Sequence, residues 1–134
     1  MSIPVTRPEL VPFARQWAAL LTTHKKDGTG VGTPVSLVVE GDHAYFRTPG
    51  KASKVKRLRR DPEVELAPAT PRGTPVGPAI HARARLLDRG SDEDRHAAKL
   101  LRRKHPFLQG VFVPLTHKVM RTSTLHYEVR PLEK

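Results

Sequence analysis

Short apolar segments, most of them alternating with polar residues and each bounded by turn residues, dominate this chain after a proline-marked entry at Pro4, Pro8 and Pro12. Trp17 to Thr23 is an apolar run flanked by charge, and Lys26, Asp27 and Gly28 supply the turn behind it, so it predicts a first strand. Val31, Val35, Leu37 and Val39 then fall on one face of a period-two pattern with Pro34 and Ser36 on the other, which predicts a second strand with one face in the core. Gly41 and Asp42 close it, and His43 to Thr48, carrying Tyr45 and Phe46, completes a three-stranded meander over residues 17 to 48.

The character changes at Pro49 and Gly50. Lys51, Lys54, Lys56, Arg57, Arg59 and Arg60 crowd into ten residues without an acid, and Val55 and Leu58, three apart, are the large apolar residues among them. That spacing predicts a helix of about two turns, with Ser53 as N-cap and Asp61 before Pro62 as the stop. Glu63 to Pro68 and Ile80 to Leu87 read as two more strands joined by a Pro/Gly-rich turn, the second setting Ile80, Ala82, Ala84 and Leu86 against His81, Arg83, Arg85 and Leu87. Ser91 and Asp94 form a weak capping box for a helix that runs through Ala97, Ala98, Leu100 and Leu101 to Lys104 and ends before Pro106. A last strand alternates through Val119, Arg121, Ser123, Leu125, Tyr127 and Val129. About six strands with two or three short helices fit a β-barrel with helical decoration better than a βαβ sheet.

At 134 residues, with 37% hydrophobic content, the chain has the size of one domain, expected to span residues 1–134. The excess of 24 Lys+Arg over 13 Asp+Glu, a formal charge of +11, calls for an anionic partner: a nucleic acid, a membrane surface or a phosphorylated small molecule. With no cysteine, disulfides, thiolate metal sites and cysteine nucleophiles are excluded. No stretch approaches the roughly 20 apolar residues of a membrane span, and a cytoplasmic protein is the expectation.

Most familiar motifs fail on their own chemistry. Gly28, Gly30 and Gly32 lie between two strands with the wrong spacing for a dinucleotide fingerprint, and no helix follows them. Gly50-Lys51 has Ala52 where a phosphate-binding loop needs Ser or Thr. The seven histidines lack metal-ligand spacing, so no metal is expected and most read as surface or packing residues. Ser36, Ser53, Ser91 and Ser123 have no nucleophile context, and no close carboxylate pair stands out. What remains is Arg47 to Arg60. A helix opening at Ser53 would turn free N–H groups and a positive dipole end toward an anion beside Ser53, Lys54 and Val55, with Lys51 and Lys56 in reach. With Val55 and Leu58 inward, Lys56, Arg57 and Arg60 fall on the far side, so one phosphate cannot use the whole cluster. Taken alone, the same run reads first as a solvated helix face and second as a nucleic-acid contact.

The segment "TPVSLVVEGDHAYFRTPGKASKVKRLRRDPEVELAP", Thr33 to Pro68, followed by "GPAIHARARLLD" from Gly77, resembles the pyridoxamine 5′-phosphate oxidase-like split barrels, in particular the branch that uses the deazaflavin coenzyme F-420. The resemblance covers most of the chain and implies a Greek-key split β-barrel that forms a homodimer, with the cofactor ring in a groove between subunits over the second and third strands. It matches Thr33, Pro34, Val35 and Ser36 to the ring-side strand, and Arg47, Thr48, Ser53, Lys54 and Lys56 to the segment that grips the cofactor phosphate. The carboxylate-rich tail of the deazaflavin would give Arg57, Arg60 and Lys51 a use that a single phosphate does not. The function implied is an F-420-dependent oxidoreductase that moves a hydride to or from a small molecule. FMN in the same fold is the alternative, and a cofactor or nucleic-acid binder without turnover is another. The 5% aromatic content offers little stacking surface for single strands. The ending "HYEVRPLEK" departs from the substrate-binding tail of true pyridoxamine phosphate oxidases, which argues against pyridoxal phosphate synthesis. No residue stands out as a proton donor, and no catalytic side chain is assigned.

Overall fold

A computed structural model describes residues 8–104 and 124–132. Six strands, β1 (Ala18–His24), β2 (Gly30–Glu40), β3 (His43–Pro49), β4 (Glu63–Ala69), β5 (Ile80–Leu86) and β6 (Thr124–Pro131), close into an antiparallel barrel in the order β1-β2-β3-β6-β5-β4. The alternation that predicts the strands also fills the barrel. Ala19 and Leu21, Val35 and Leu37, Ala44 and Phe46, Val64 and Leu66, Ala82 and Ala84, and Tyr127 and Val129 point inward from successive strands and are buried together. The rings of Phe46 and Tyr127, register partners on the neighbouring strands β3 and β6, stack at 5.0 Å and 4° inside the barrel.

Among the described residues three short helices accompany the barrel: α1 (Val11–Ala14), which continues a 3-10 turn at Pro8–Leu10, α2 (Ser53–Arg60) and α3 (Asp92–Lys104). Leu10 and Phe13 of the entry and Leu58 of α2 join the barrel core. The entry helix is not visible in the sequence pattern, because its four residues are too few for a period and Pro12 is compatible with a first helical turn as well as with coil.

Two expectations need correction. Ser53 is not the N-cap: Ala52, extended at φ −65° and ψ 144°, holds that position, Ser53 is the first helical residue, and no side chain caps α2. Leu86 does not continue the core face of β5 but is 49% exposed, whereas Leu87 is buried beneath α3 with Tyr45, Ala97 and Leu101. The strand ends at Leu86, and the Leu87 N–H donates to the His126 carbonyl at 3.0 Å, which carries the next side chain under the helix. Val119, Arg121, Ser123 and Pro106 lie outside the described residues.

Polar contacts fasten α3 to the outer face of the sheet. Ser91 Oγ accepts the Asp94 N–H at 3.1 Å, and Asp94 Oδ2 accepts the Gly90 N–H at 2.9 Å, one residue before the position a capping box would use. The other oxygen of Asp94 meets His126 Nδ1 at 2.9 Å, and His96 Nε2 lies 2.7 Å from Glu40. His43 and His24 also contact carboxylates, so these four histidines are tethering residues rather than bare surface.

At the far end of α3, Lys104 Nζ donates to the Phe13 carbonyl at 3.4 Å, and burial pushes its pKa down to about 8. The unfolded chain therefore binds the extra proton between about 8 and the ordinary lysine range, and stability rises with pH through that window. Lys104→Met is expected to flatten this rise and to add about 1 kcal/mol at pH 7, a fraction of the full linkage value because the ammonium keeps part of its solvent. Paired denaturant titrations of the two proteins from pH 7 to 10.5 check it.

Candidate functional site: a split between two strands capped by a basic helix

β2 is eleven residues long but pairs with β3 only from Leu37 to Glu40, against Phe46 to His43. From Gly30 to Ser36 it stays on β1, while β3 stays on β6 as far as Pro49. The two strands therefore diverge at Ser36 and Arg47. The sequence provides for this, since Pro34 has no N–H to offer a second neighbour and Pro49 ends β3. α2 then crosses the barrel mouth from β3 to β1. Lys54 Nζ donates to Thr48 Oγ1 at 3.2 Å, Arg57 Nε donates to the buried Thr23 Oγ1 at 2.6 Å, and an Arg60 guanidinium N–H donates to the His24 carbonyl.

The residues expected to bind a cofactor fall into three groups. Pro34, Ser36 and Arg47 lie on the outer face of their strands, beside the divergence. Thr33, Val35 and Thr48 lie on the inner face, with Val35 in the barrel core, so Val35 can offer a ligand only its main chain. Ser53, Lys56 and Arg57 lie on α2 and line a cleft, while Lys51 is exposed in the turn before the helix. Arg47 and Thr48 thus belong to opposite faces of β3 and cannot grip one phosphate from the same side. Arg57 and Arg60, expected on the far side of α2, are instead tied to β1.

The electrostatics around the split are one-sided. Burial, and then repulsion from Arg57, lower the pKa of Lys54, and burial lowers that of Arg47. His126, opposite Arg47 in the β3–β6 register, is also pushed down by burial, against the raising effect of its Asp94 contact. Thr33 Oγ1 is buried without a hydrogen-bond partner. Half-buried cations, an uncapped helix N-terminus and an unsatisfied hydroxyl fit a ligand that carries negative charge and an acceptor or donor edge. The residues present therefore suit an anionic flavin-type group.

A second basic element escapes the sequence analysis. Lys26, read from the sequence only as a turn residue, and its neighbour Lys25 face the 53, 56, 57 and 60 stripe of α2 across the cleft. The i, i+3, i+4, i+7 spacing of that stripe is legible from the sequence. Its neighbour is not, because it depends on where β1 ends in space.

No family model and no curated protein matches the sequence. Solved structures do match. One is an F-420 reductase, 19% identical with a TM-score of 0.63, the match covering 92% of this chain and 93% of that one. Another is a protein described as a pyridoxamine 5′-phosphate oxidase from Listeria innocua, 14% identical with a TM-score of 0.60 over 93% and 91% of the two chains. A third is a heme storage protein from Vibrio cholerae, 12% identical with a TM-score of 0.64 over 96% and 91%. The fold is the pyridoxamine 5′-phosphate oxidase-like split barrel. This split barrel hosts a reductase and a heme storage protein alike, so the fold does not choose the chemistry and the residues at the split must. Among the described residues, no helix is long and apolar enough to cross a membrane.

Proposed function

We propose that the chain is a flavin-type oxidoreductase whose cofactor lies at the split between β2 and β3, with coenzyme F-420 preferred and FMN the alternative. The observation that carries this reading is the uncapped N-terminus of α2 beside Lys54, a lysine that burial and Arg57 both discourage from holding its proton. An anion placed there gains helix N–H donors and relieves that penalty. In this reading Ser53 and Lys54 hold the phosphate, and Pro34 and Ser36 present the outer face of β2 to the ring. A second copy of the chain would close the groove and exclude water, so a homodimer is part of the proposal.

When bound, the cofactor supplies the hydride transfer, and the protein contributes orientation, charge and exclusion of solvent. Among the described residues no side chain at the split is assigned as a proton donor, and in this reading solvent fills that role. F-420 is preferred because its phosphodiester and carboxylate tail carry more negative charge than FMN, matching a chain of formal charge +11. The test is a fluorescence titration with F-420 at low ionic strength. Quenching with a micromolar or tighter dissociation constant is expected, and absence of quenching at high cofactor concentration overturns the reading. A purified protein that is yellow and releases FMN on denaturation moves the assignment to the alternative.

A further inference from the structure

Ser53, Lys56, Arg57 and Arg60 form one stripe of α2, and it looks across an open cleft of about 410 Å³ at Lys25 and Lys26. Of the six lining residues five are basic and none is acidic. The two acids adjacent in sequence to lining residues are each turned onto their own backbone: Asp27 Oδ1 accepts the Thr29 N–H at 2.9 Å, and Asp61 Oδ1 accepts the Glu63 N–H at 3.1 Å. Both walls are held in shape. The turn is closed by the Lys25 N–H to the Thr29 carbonyl and by the Gly28 N–H to the Lys25 carbonyl, both at 2.9 Å, with Gly28 at φ +89°, where a side chain would strain the backbone. The helix wall is held by Arg57 on Thr23 and Arg60 on the His24 carbonyl, which leaves other guanidinium N–H groups available to a ligand. Lys54 is on the other flank of α2, toward β3.

Arg60 is seven residues beyond Ser53, roughly 10 Å along the helix axis, a span that a single phosphate cannot cover. Five like charges around one cleft also repel one another, and an extended counter-charge relieves that repulsion along its whole length.

We propose that this cleft is a second anion site, completed by Lys25 and Lys26, that takes an oligoanion: a chain bearing several carboxylates or phosphates. The inference deepens the proposed function in one respect and rests on it there, since the tail of a bound deazaflavin is one source of such a chain. A free oligoanion is the other.

Calorimetric titration of the full-length protein at low salt tests it, with inorganic tripolyphosphate and inorganic phosphate as probes. Tripolyphosphate is expected to bind at least tenfold more tightly than phosphate. A Lys25→Ala/Lys26→Ala double variant, changed only at exposed turn positions, should lose tenfold or more of that affinity and keep FMN, which has no tail, within twofold of wild type. If the double variant also loses affinity for F-420, the tail is the occupant; if F-420 is unaffected while tripolyphosphate binding falls, a free oligoanion is. Equal affinity for phosphate and tripolyphosphate, or a double variant that binds tripolyphosphate like wild type, overturns the proposal. A protein that binds neither flavin but still binds tripolyphosphate through Lys25 and Lys26 sinks the cofactor reading and leaves this site standing. Lys56→Ala, on the opposite wall, is expected to reproduce the tripolyphosphate loss, which separates a site effect from a local change in the turn.

Discussion

Lys54→Met is expected to weaken binding of the anionic cofactor ~10- to 100-fold, the range that follows from losing a hydrogen bond between charged partners. The substitution keeps the length and packing of the side chain while removing its charge. It should leave folding intact or slightly improved, because the native ammonium bears the cost of burial and of Arg57 nearby. Folding and binding are thereby separated: a variant that melts at or above the wild-type temperature yet binds F-420 and FMN poorly supports the phosphate-gripping role. A variant of wild-type affinity removes Lys54 from the site, and with it the reason for placing the phosphate at the start of α2. The effect should shrink as salt is raised, since part of it is attraction across solvent.

Phe46→Ala should cost 3–5 kcal/mol, about the range for truncating a buried aromatic side chain and leaving a cavity. Phe46 is fully buried in the barrel core and stacks on Tyr127, so β3 and β6, strands far apart in sequence, lose a packed aromatic pair between them. Leu86→Ala is the contrast. It occupies the position that period-two reading assigns to the same core, but it is 49% exposed, and a change within about 0.5 kcal/mol is expected. Urea denaturation of both variants decides between the inward face as observed and the face that alternation alone predicts.

These two residues show how far the sequence reaches. Phe46 is legible because it lies mid-strand, where alternation maps directly onto the two faces of a sheet. Leu86 is not, because the strand ends there and α3 pulls Leu87 down instead. α2 was legible through Val55 and Leu58, but its first residue was not: the choice between Ala52 and Ser53 as N-cap depends on one backbone conformation that no side-chain pattern records. The site divides in the same way. The stretch from Arg47 to Arg60 announces an anion site through its charge and its helix start. That Arg47 and Thr48 face opposite ways is implied by alternation along the predicted strand, and the Lys54 contact with Thr48 is a local one, six residues apart; that the β1–β2 turn meets α2 follows only from barrel closure, which joins strands distant in sequence. The split itself is half visible, since Pro34 marks a strand position that cannot serve two neighbours, but the place where β3 leaves β2 is a matter of register.

The account depends on the ligand meeting β2 and α2 at once. Amide chemical shifts of the isotope-labelled protein, followed while F-420 or FMN is added, test this most directly. Saturable shifts are expected at the amides of Thr33, Val35, Ser36, Ser53, Lys54 and Val55, with a common dissociation constant. Shifts confined to other surfaces, or a spectrum unchanged by either cofactor, would contradict it.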